Sequence, residues 1–256
     1  MTINKKIQNK IQCLPILNKQ QTEFLSIVAH QFRTPLSVIS GYVAMLTEGD
    51  YGKLNKKTAP ILNNISYSIE RLTRLVDQLL DLGQIESGKM IFNFCRHDVN
   101  CLISEVINEL QPKLSHKVKM EFVGKKSGPF WADIDADKIS NVIFNLIDNA
   151  IKYTDKGKIS VRLQANKKQL IIKIKDTGIG LSQSDKAKVF SKFFRSRYLS
   201  SAIDKKGTGL GLFIVSKFVK AHRGEVWCKS DGRGKGSEFG FSLPLKQAAK
   251  CMEIWA

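Results

Sequence analysis

The sequence predicts two domains, an all-α helical hairpin that forms a dimeric four-helix bundle and then an α+β two-layer sandwich. A long apolar repeat with helical spacing precedes residue 90, and mixed strand and helix patterns follow it. The 256 residues are enough for two modest domains, each with its own core. We expect an N-terminal linker, a dimerisation domain, a second domain and a C-terminal tail over residues 1–17, 18–88, 90–246 and 247–256.

The first domain is predicted to contain two long helices. The first helix extends from about Asn18 to Leu46, and glycines within residues 49–52 mark a turn. Thr58 is a suitable N-cap for the second helix, and Pro60 is tolerated in its first turn.

The second helix carries an apolar seam. Its residues are spaced 4, 3, 4 and 3 apart: Ile65, Ile69, Leu72, Val76 and Leu79. Two helices with such a seam do not bury it well alone, so we expect a four-helix bundle made by a homodimer.

The second domain mixes both periodicities without strict alternation of strands and helices, which indicates an α+β sandwich. The predicted helices are 99–114, Asp137–Tyr153 and Thr208–Arg223. The predicted strands are Val118–Val123, Pro129–Asp133, Ile159–Gln164, Gln169–Lys175, Glu225–Lys229 and Ser237–Pro244. We expect Ile159–Gln164 and Gln169–Lys175 to be adjacent and antiparallel, joined by a turn at Asn166.

The chain is strongly basic, with a net charge of +18, and 14 of these excess charges lie beyond residue 90. Such a surface suits nucleic acid, anionic lipid, a nucleotide or an acidic protein, or is simply solvated. No apolar run approaches the roughly 18 residues of a membrane span, and no signal peptide is visible. We expect a cytoplasmic protein that reaches a membrane only through a partner or a missing N-terminal region.

The five cysteines are scattered and never form a Cys-x-x-Cys pair: Cys13, Cys95, Cys101, Cys228 and Cys251. Their odd number and spacing argue against a zinc site or a disulfide framework. We expect all five to be small buried or half-buried apolar residues.

Two glycine clusters follow the apolar patterns of the second domain. Asp176–Gly180, DTGIG, comes directly after a strand, where a carboxylate can accept a hydrogen bond from an exocyclic amine. Gly207–Leu212, GTGLGL, opens a helix whose backbone amides and dipole suit phosphates. It matches neither the P-loop nor the dinucleotide fingerprint. Taken singly, the two clusters are equally explained as an ordinary turn and a tightly packed helix entry.

The helix Asn141–Tyr153, NVIFNLIDNAIKY, carries polar residues on one face. Asn145 and Asn149 are four residues apart, with Lys152 nearly beside them. Oxygen ligands for Mg²⁺ and a cation for phosphate are one explanation. Polar side chains satisfied by backbone groups are the other.

Together and in this order, the three motifs resemble the ATP site of the GHKL superfamily, whose fold is the Bergerat ATPase fold. The aromatic stretch Val189–Arg195, VFSKFFR, lies between the glycine clusters, as the family's F box does. The resemblance implies that residues 90–246 form a catalytic ATP-binding domain with residues 181–206 as a lid.

The resemblance also assigns site residues. Asp176 would bind the adenine amine and Tyr153 would line the pocket. Asn149 would hold Mg²⁺ with support from Asn145. Lys152 would reach the phosphates. Further nucleotide contacts are implied for Gly178, Gly180, Arg195, Gly207, Thr208, Gly209, Leu210 and Gly211, with Arg195 meeting the γ-phosphate from the lid.

His30 lies in the first helix and is followed by Arg33, Thr34 and Pro35, within FLSIVAHQFRTPLSVISGY. This stretch resembles the phosphoacceptor box of sensor histidine kinases. It implies ATP-dependent autophosphorylation of His30 and phosphorelay to an aspartate of a response-regulator receiver domain. The other histidines, His97, His116 and His222, lack such a context, and we expect them at the surface.

One residue departs from the family pattern. Most members have Glu or Asp directly after the histidine, whereas this chain has Gln31. Glutamine can orient an imidazole by hydrogen bonding but cannot accept its proton. Thr34, four residues after His30, matches the position linked to dephosphorylation of the partner regulator.

Three other functions remain open at this point. The ATP site can serve an ATP-gated conformational change, or Gln31 can mark a signalling scaffold without kinase activity. Nucleic-acid binding has charge in its favour but no recognisable module, so we expect no nucleic-acid partner. Because no sensor segment precedes residue 18, we expect the input to come from an upstream sensor partner or a missing sensor region.

Overall fold

A computed structural model describes the following residues of the chain: 27–55, 57–124, 128–166, 168–196, 207–245 and 253–254. They form two units that meet in sequence at Met90 and Ile91. The predicted linker 1–17, the start of the first helix and most of the predicted tail lie outside the described residues. No described helix is long and apolar enough to cross a membrane.

The first unit is a pair of helices, α1 (27–48) and α2 (Thr58–Glu86). Their shared core consists of three residues from each helix: Ala29, Leu36, Val43, Leu62, Ile69 and Val76. Each helix therefore contributes one residue every two turns, which makes a narrow apolar stripe.

The predicted seam of α2 divides into buried and exposed members. Ile69 and Val76 are buried in the shared core. Ile65 and Leu72 are 39% and 44% exposed, although they belong to the same apolar repeat. The second helix is confirmed, and two helices cover only part of its seam.

The start of α2 differs from the prediction. Thr58 is the first helical residue and not the N-cap, and the capping position, Lys57, makes no side-chain capping bond. Instead, Oδ1 of Asn55 accepts hydrogen bonds from the backbone N–H groups of Lys57 and Thr58, at 2.9 and 2.8 Å. An Asx-type turn thus satisfies the first free donors of the helix. Pro60 lies in the first turn, as predicted.

The second unit contains a five-stranded sheet. Its strands are β3 (Val118–Val123), β5 (Gly157–Ala165), β6 (Gln169–Asp176), β7 (Val226–Lys229) and β8 (Glu238–Pro244). They lie in the order β3–β5–β6–β8–β7, in which β3 and β5 are parallel and the other neighbours antiparallel. Two small sheets pair β2 (Cys95–Asp98) with β4 (Trp131–Ile134) and β1 (Ile91–Phe92) with β9 (Glu253–Ile254).

The helices of this unit are α3 (Val99–Leu110), α4 (Ala136–Tyr153), α5 (Gln183–Lys186) and α6 (Gly211–Ala221), with a 3₁₀ turn at Gln111–Lys113. The α4 helix packs against both α3 and α6. Its inner face is fully buried, with Ile139, Ile143 and Ile147 at 0% exposure. Alternate residues of β6, including Leu170 and Ile172, are buried on the matching sheet face. The predicted α+β two-layer fold is confirmed.

Two helix predictions are too long. The helix predicted over 99–114 ends at Leu110, because Pro112 has no N–H for a further helical bond and a 3₁₀ turn follows. The helix predicted from Thr208 begins at Gly211. The preceding residues of the glycine cluster form a loop.

The turn at the end of α6 is made by Arg223 and not by the glycine that follows it. Arg223 adopts the left-handed conformation, with φ of 56°. Gly224 instead permits close packing, because a Cβ at this position would lie 2.0 Å from the backbone oxygen of Ser242. Gly224 thus serves the contact with β8, and Arg223 makes the turn that ends α6.

His222 is fully buried, contrary to the prediction of a surface position. Its Nε2 accepts a hydrogen bond from the backbone N–H of Asp135 at 3.0 Å, and its Nδ1 donates to the carbonyl oxygen of Phe218 at 2.7 Å. Burial lowers the pKa of His222, which suits this neutral form. The imidazole therefore links the end of α6 to the residue that caps α4. His97 is half-buried and His116 is exposed.

The cysteine prediction is wrong for two residues. Cys95 and Cys101 are exposed, whereas Cys228 is half-buried and fits the prediction. Burial is the main cause that raises the pKa of the Cys228 thiol to about 12, so this thiol stays protonated. Cys13 and Cys251 lie outside the described residues.

Candidate active site

Asp176 ends β6 with a carboxylate that is only 3% exposed. Its Oδ1 accepts hydrogen bonds from the backbone N–H groups of Gly178 and Ser237, at 2.8 and 3.2 Å. Its Oδ2 accepts one from the hydroxyl of Ser237 at 2.5 Å. Since a carboxylate oxygen has about two acceptor positions, Oδ2 retains one for an exocyclic amine.

The glycines after Asp176 are required by neighbouring backbone. A Cβ on Gly178 would lie 2.1 Å from the carbonyl oxygen of Tyr153, and one on Gly180 would lie 2.2 Å from that of Gly232. Gly180 also has a positive φ of 65°. The N–H of Ile179 donates to the carbonyl of Tyr153 at 3.1 Å, which joins this loop to the end of α4.

A third glycine-rich loop, residues 230–237, supports the first and was missed by the sequence analysis. The N–H groups of Gly234 and Gly236 donate to the carbonyls of Ile179 and Gly178, at 2.7 and 3.1 Å. Alternate glycines in SDGRGKGS were the available signal. They give no hint of the partner loop, because the two segments are more than 50 residues apart in sequence.

The end of α4 also meets the second glycine cluster. A Cβ added to Gly207 would lie 2.8 Å from Nζ of Lys152. The same ammonium lies 5.1 Å from the centroid of the Tyr153 ring. A cation, an aromatic ring and the backbone of Gly207 thus lie close together at the end of α4.

The aromatic segment contacts this glycine cluster as well. Gly209 has φ of 73°, and a Cβ there would lie 2.7 Å from the carbonyl carbon of Phe193. Phe193 itself has φ of 58° and is 59% exposed, an uncommon conformation for a bulky residue. Arg195 follows on the same segment and is exposed. Residues 197–206, the rest of the predicted lid, lie outside the described residues.

The remaining members of the cluster have distinct surroundings. The hydroxyl of Thr208 accepts a hydrogen bond from the backbone N–H of Leu210 at 3.3 Å. The Leu210 side chain is 2% exposed, so any nucleotide contact there depends on its backbone. Gly211 is the first residue of α6 and offers its N–H at the positive end of the helix dipole.

The asparagine face of α4 begins one turn earlier than the sequence analysis noted. Nδ2 of Asn145 donates to the backbone carbonyl of Asn141 at 2.8 Å and to its side-chain Oδ1 at 2.5 Å. Asn149 is half-buried, and its amide makes no hydrogen bond with the part of the chain that the structure describes. Asn141 precedes Asn145 by the same four residues that separate Asn145 from Asn149, which was the overlooked signal.

These side chains fit a magnesium ion by their chemistry. Mg²⁺ prefers oxygen ligands and in nucleotide sites takes only one or two from the protein, the rest being phosphate and water. Within the described ranges no group of three His, Cys, Asp or Glu side chains could hold a metal. The amide oxygens of Asn149 and Asn145 are the matching donors on the face that leads to Lys152.

In the first unit, His30 is exposed on α1, and Gln31 and Thr34 are exposed beside it. The guanidinium of Arg33 pairs with the carboxylate of Asp77 on α2, one turn after His30. The helix continues through Pro35. His30 is therefore presented to solvent on a helix that the second helix holds in place.

Comparison with known proteins agrees with both halves of this description. Residues 20–88 match the His Kinase A (phospho-acceptor) domain, and residues 134–247 match the histidine kinase-, DNA gyrase B- and HSP90-like ATPase family. The sensor histidine kinase WalK of Bacillus subtilis (strain 168) is 34% identical over 90% of this chain and 38% of its own length. The chain thus spans well under half of this relative.

Two solved structures share the fold. Acinetobacter baumannii histidine kinase AdeS matches 84% of this chain and 98% of its own, with 26% identity and a TM-score of 0.57. Full-length ShkA, solved in complex with AMPPNP, matches 90% of this chain and 47% of its own, with 24% identity and a TM-score of 0.65. By its paired domain matches and its relatives, this chain belongs to the sensor histidine kinases of two-component systems.

Proposed function

We propose that this chain transfers the γ-phosphoryl group of ATP to His30 and then to an aspartate of a response-regulator receiver domain. The observation that carries the proposal is the meeting of three separate segments at the end of α4. The backbone of Tyr153 bonds the Asp176 loop, and Lys152 approaches Gly207. An adenine acceptor and a cation for phosphate then both lie near the end of α4.

The exposed imidazole of His30 is a suitable nucleophile. A neutral imidazole has one ring nitrogen without a proton, and the lone pair of this nitrogen can attack the γ-phosphorus. The bond to the bridging oxygen breaks, ADP leaves, and the ring proton passes to solvent, since Gln31 cannot accept it. Lys152 and Arg195 would balance phosphate charge, and bound Mg²⁺ would neutralise the rest.

We assign residues 18–88 to dimerisation and phosphoacceptance and residues 90–246 to ATP binding. The exposed seam residues Ile65 and Leu72 support a homodimer, because a second copy would cover them. The excess positive charge beyond residue 90 offers one attraction for an acidic receiver domain.

Autophosphorylation is tested by incubating the full chain with γ-labelled ATP and Mg²⁺. We expect a label that is stable in alkali, labile in acid and absent from His30→Ala. His116→Ala is the matched control, since His116 is exposed and lies outside both α1 and the nucleotide motifs, and it should label normally. Label that persists in His30→Ala would contradict the assignment, and nucleotide binding without label in the wild type would favour an ATP-gated switch or a scaffold.

The Gln31 position is tested by Gln31→Glu, which restores the acidic side chain found in most members. We expect faster autophosphorylation at unchanged ATP affinity, because a carboxylate next to His30 can hold or take the ring proton. An unchanged rate would show that proton acceptance at residue 31 does not limit transfer.

A second activity, dephosphorylation of the regulator, is favoured by the exposure of Thr34 one helical turn after His30. Its hydroxyl would orient a water for attack on the aspartyl phosphate. Thr34→Ala should prolong the lifetime of a phosphorylated receiver domain, while Thr34→Ser should retain activity. Equal lifetimes with both variants would argue against this role.

A further inference from the structure

The amide of Asn145 has both of its donor hydrogens occupied by one residue. Nδ2 lies 2.8 Å from the backbone oxygen of Asn141 and 2.5 Å from its side-chain Oδ1. An asparagine amide carries two N–H donors and one oxygen acceptor. Because Asn141 engages the nitrogen, the amide is held by one end.

This arrangement decides which atom of Asn145 is available to a ligand. Oδ1 accepts no hydrogen bond from any described residue. Since Nδ2 is the atom that contacts Asn141, Oδ1 is the amide atom left without a protein hydrogen bond, and Asn149 follows four residues later on the same face of α4. The available atom is the oxygen, which is the kind of ligand that Mg²⁺ selects.

We propose that Asn141 is a positioning residue that turns the Asn145 amide so that its oxygen faces Mg²⁺ on a bound nucleotide. The inference rests on the proposed nucleotide site. Residues behind a metal ligand commonly fix its orientation, and their loss weakens metal binding about 10- to 100-fold. Without the Asn141 side chain, Nδ2 keeps only its bond to the backbone oxygen, so the Asn145 amide is less firmly held with its oxygen towards the ligand.

Helix stability does not account for this residue. Asparagine is a weaker helix former than alanine, and Asn141 is half-buried at the helix surface and not in the core. A substitution by alanine therefore preserves α4 and removes the side-chain acceptor for Nδ2, while the backbone oxygen of residue 141 remains.

The test measures ADP binding to the full chain by calorimetry, in EDTA and over a series of Mg²⁺ concentrations. For Asn141→Ala, we expect ADP affinity in EDTA to stay within about twofold of the wild type. The Mg²⁺ concentration for half-maximal enhancement of binding should rise about 10- to 100-fold. Asn141→Gln retains an amide oxygen and should restore most of the Mg²⁺ response.

Asn108→Ala is the matched control, because Asn108 is exposed on α3 and takes no part in this face. An Asn141→Ala response equal to that of Asn108→Ala would overturn the inference. So would a loss of ADP affinity in EDTA together with a lower Tm, which would indicate a merely structural role. A wild type whose ADP binding is insensitive to Mg²⁺ would overturn the proposed metal site itself, and one that binds no ADP would overturn the proposed function.

Discussion

The helical unit and the α/β unit bury their apolar residues to different degrees. Of 16 large apolar residues that are exposed among the described ones, 11 lie between Ile27 and Leu72. In the second unit, the inward-facing apolar residues of α4 and of the central strands β5 and β6 are at most a few per cent exposed. The second unit therefore has a complete core of its own, whereas the helical pair leaves apolar side chains for further apolar surface to cover.

The helical pair also has a groove where this surface would be covered. Its apolar lining includes Ile39 and Leu36 of α1 and Ile61, Ile65 and Leu72 of α2, and its volume is about 430 Å³. A groove lined mainly by apolar side chains is unusual on a surface that stays in water. The proposed homodimer provides the covering residues from a second copy.

The largest expected effect tests the completeness of the second core. Ile147→Ala, at a position with 0% exposure, should lower the free energy of unfolding of this unit by about 2–5 kcal/mol. Ile61→Ala, in a residue that is 58% exposed, should lower that of the isolated helical pair by less than about 1 kcal/mol. Urea titrations followed by circular dichroism measure both free energies of unfolding. Equal losses would show that the two units do not differ in the completeness of their cores.

The next effect concerns the exposed seam. Ile65→Lys places a charge on the apolar face and repeats it in the second copy of a homodimer. Each lost burial of a large apolar side chain costs about 1.5–3 kcal/mol, so the dimer dissociation constant should rise at least about 100-fold. Sedimentation equilibrium measures this, with Lys89→Ala as a surface control. An unchanged dissociation constant would show that this face is not the dimer interface.

A smaller effect depends on pH and belongs to the second unit. The pKa of His222 is lowered by burial from its ordinary value of about 6.5. Below that pH the unfolded chain binds more protons than the folded one, so the free energy of unfolding falls as pH falls towards the lowered pKa. The slope from this group is at most about 1.4 kcal/mol per pH unit.

His222→Gln separates this contribution. Glutamine keeps an acceptor for the N–H of Asp135 and does not titrate. It lacks the rigid ring whose Nδ1 also donates to the carbonyl of Phe218, so the variant should be less stable at pH 7.5 by about 1–2 kcal/mol. The difference should shrink at pH 5.5 in urea titrations. Parallel pH profiles for the two proteins would exclude His222 as a source of acid sensitivity.

The smallest effect compares two turns built alike. Oδ1 of Asn55 accepts two backbone N–H groups before α2, and Oδ1 of Asn166 accepts those of Lys168 and Gln169 between β5 and β6, at 2.8 and 2.9 Å. Asn55→Ala and Asn166→Ala should each cost about 1 kcal/mol in the unit that contains them. Thermal unfolding measures the two losses. A loss at only one site would show that the turns differ despite their shared bonding.

The local pattern of the chain was sufficient for most elements. Strand β3 was predicted with its observed bounds, Val118–Val123, and α4 was one residue longer than predicted. Helical and strand periodicities are local properties of the apolar residues, so they are visible without the fold. Thr58 failed as a cap because Ser and Thr compete with Asn for the same donors, and only the loop geometry decides which is used.

Local patterns in the chain were enough to predict the longer elements in their order and the pairing of a phosphoacceptor box with nucleotide motifs. The burial of His222, the support of Asp176 by the loop 230–237 and the bond from Asn145 to Asn141 depend on contacts in the folded chain. The bonds of His222 and Ser237 join segments 87 and 61 residues apart. Asn141 lies only one turn from Asn145, but the direction of an amide depends on its bonds and not on its spacing. The bonds between distant segments and the bond within α4 both depend on how side chains pack, which local sequence patterns do not specify.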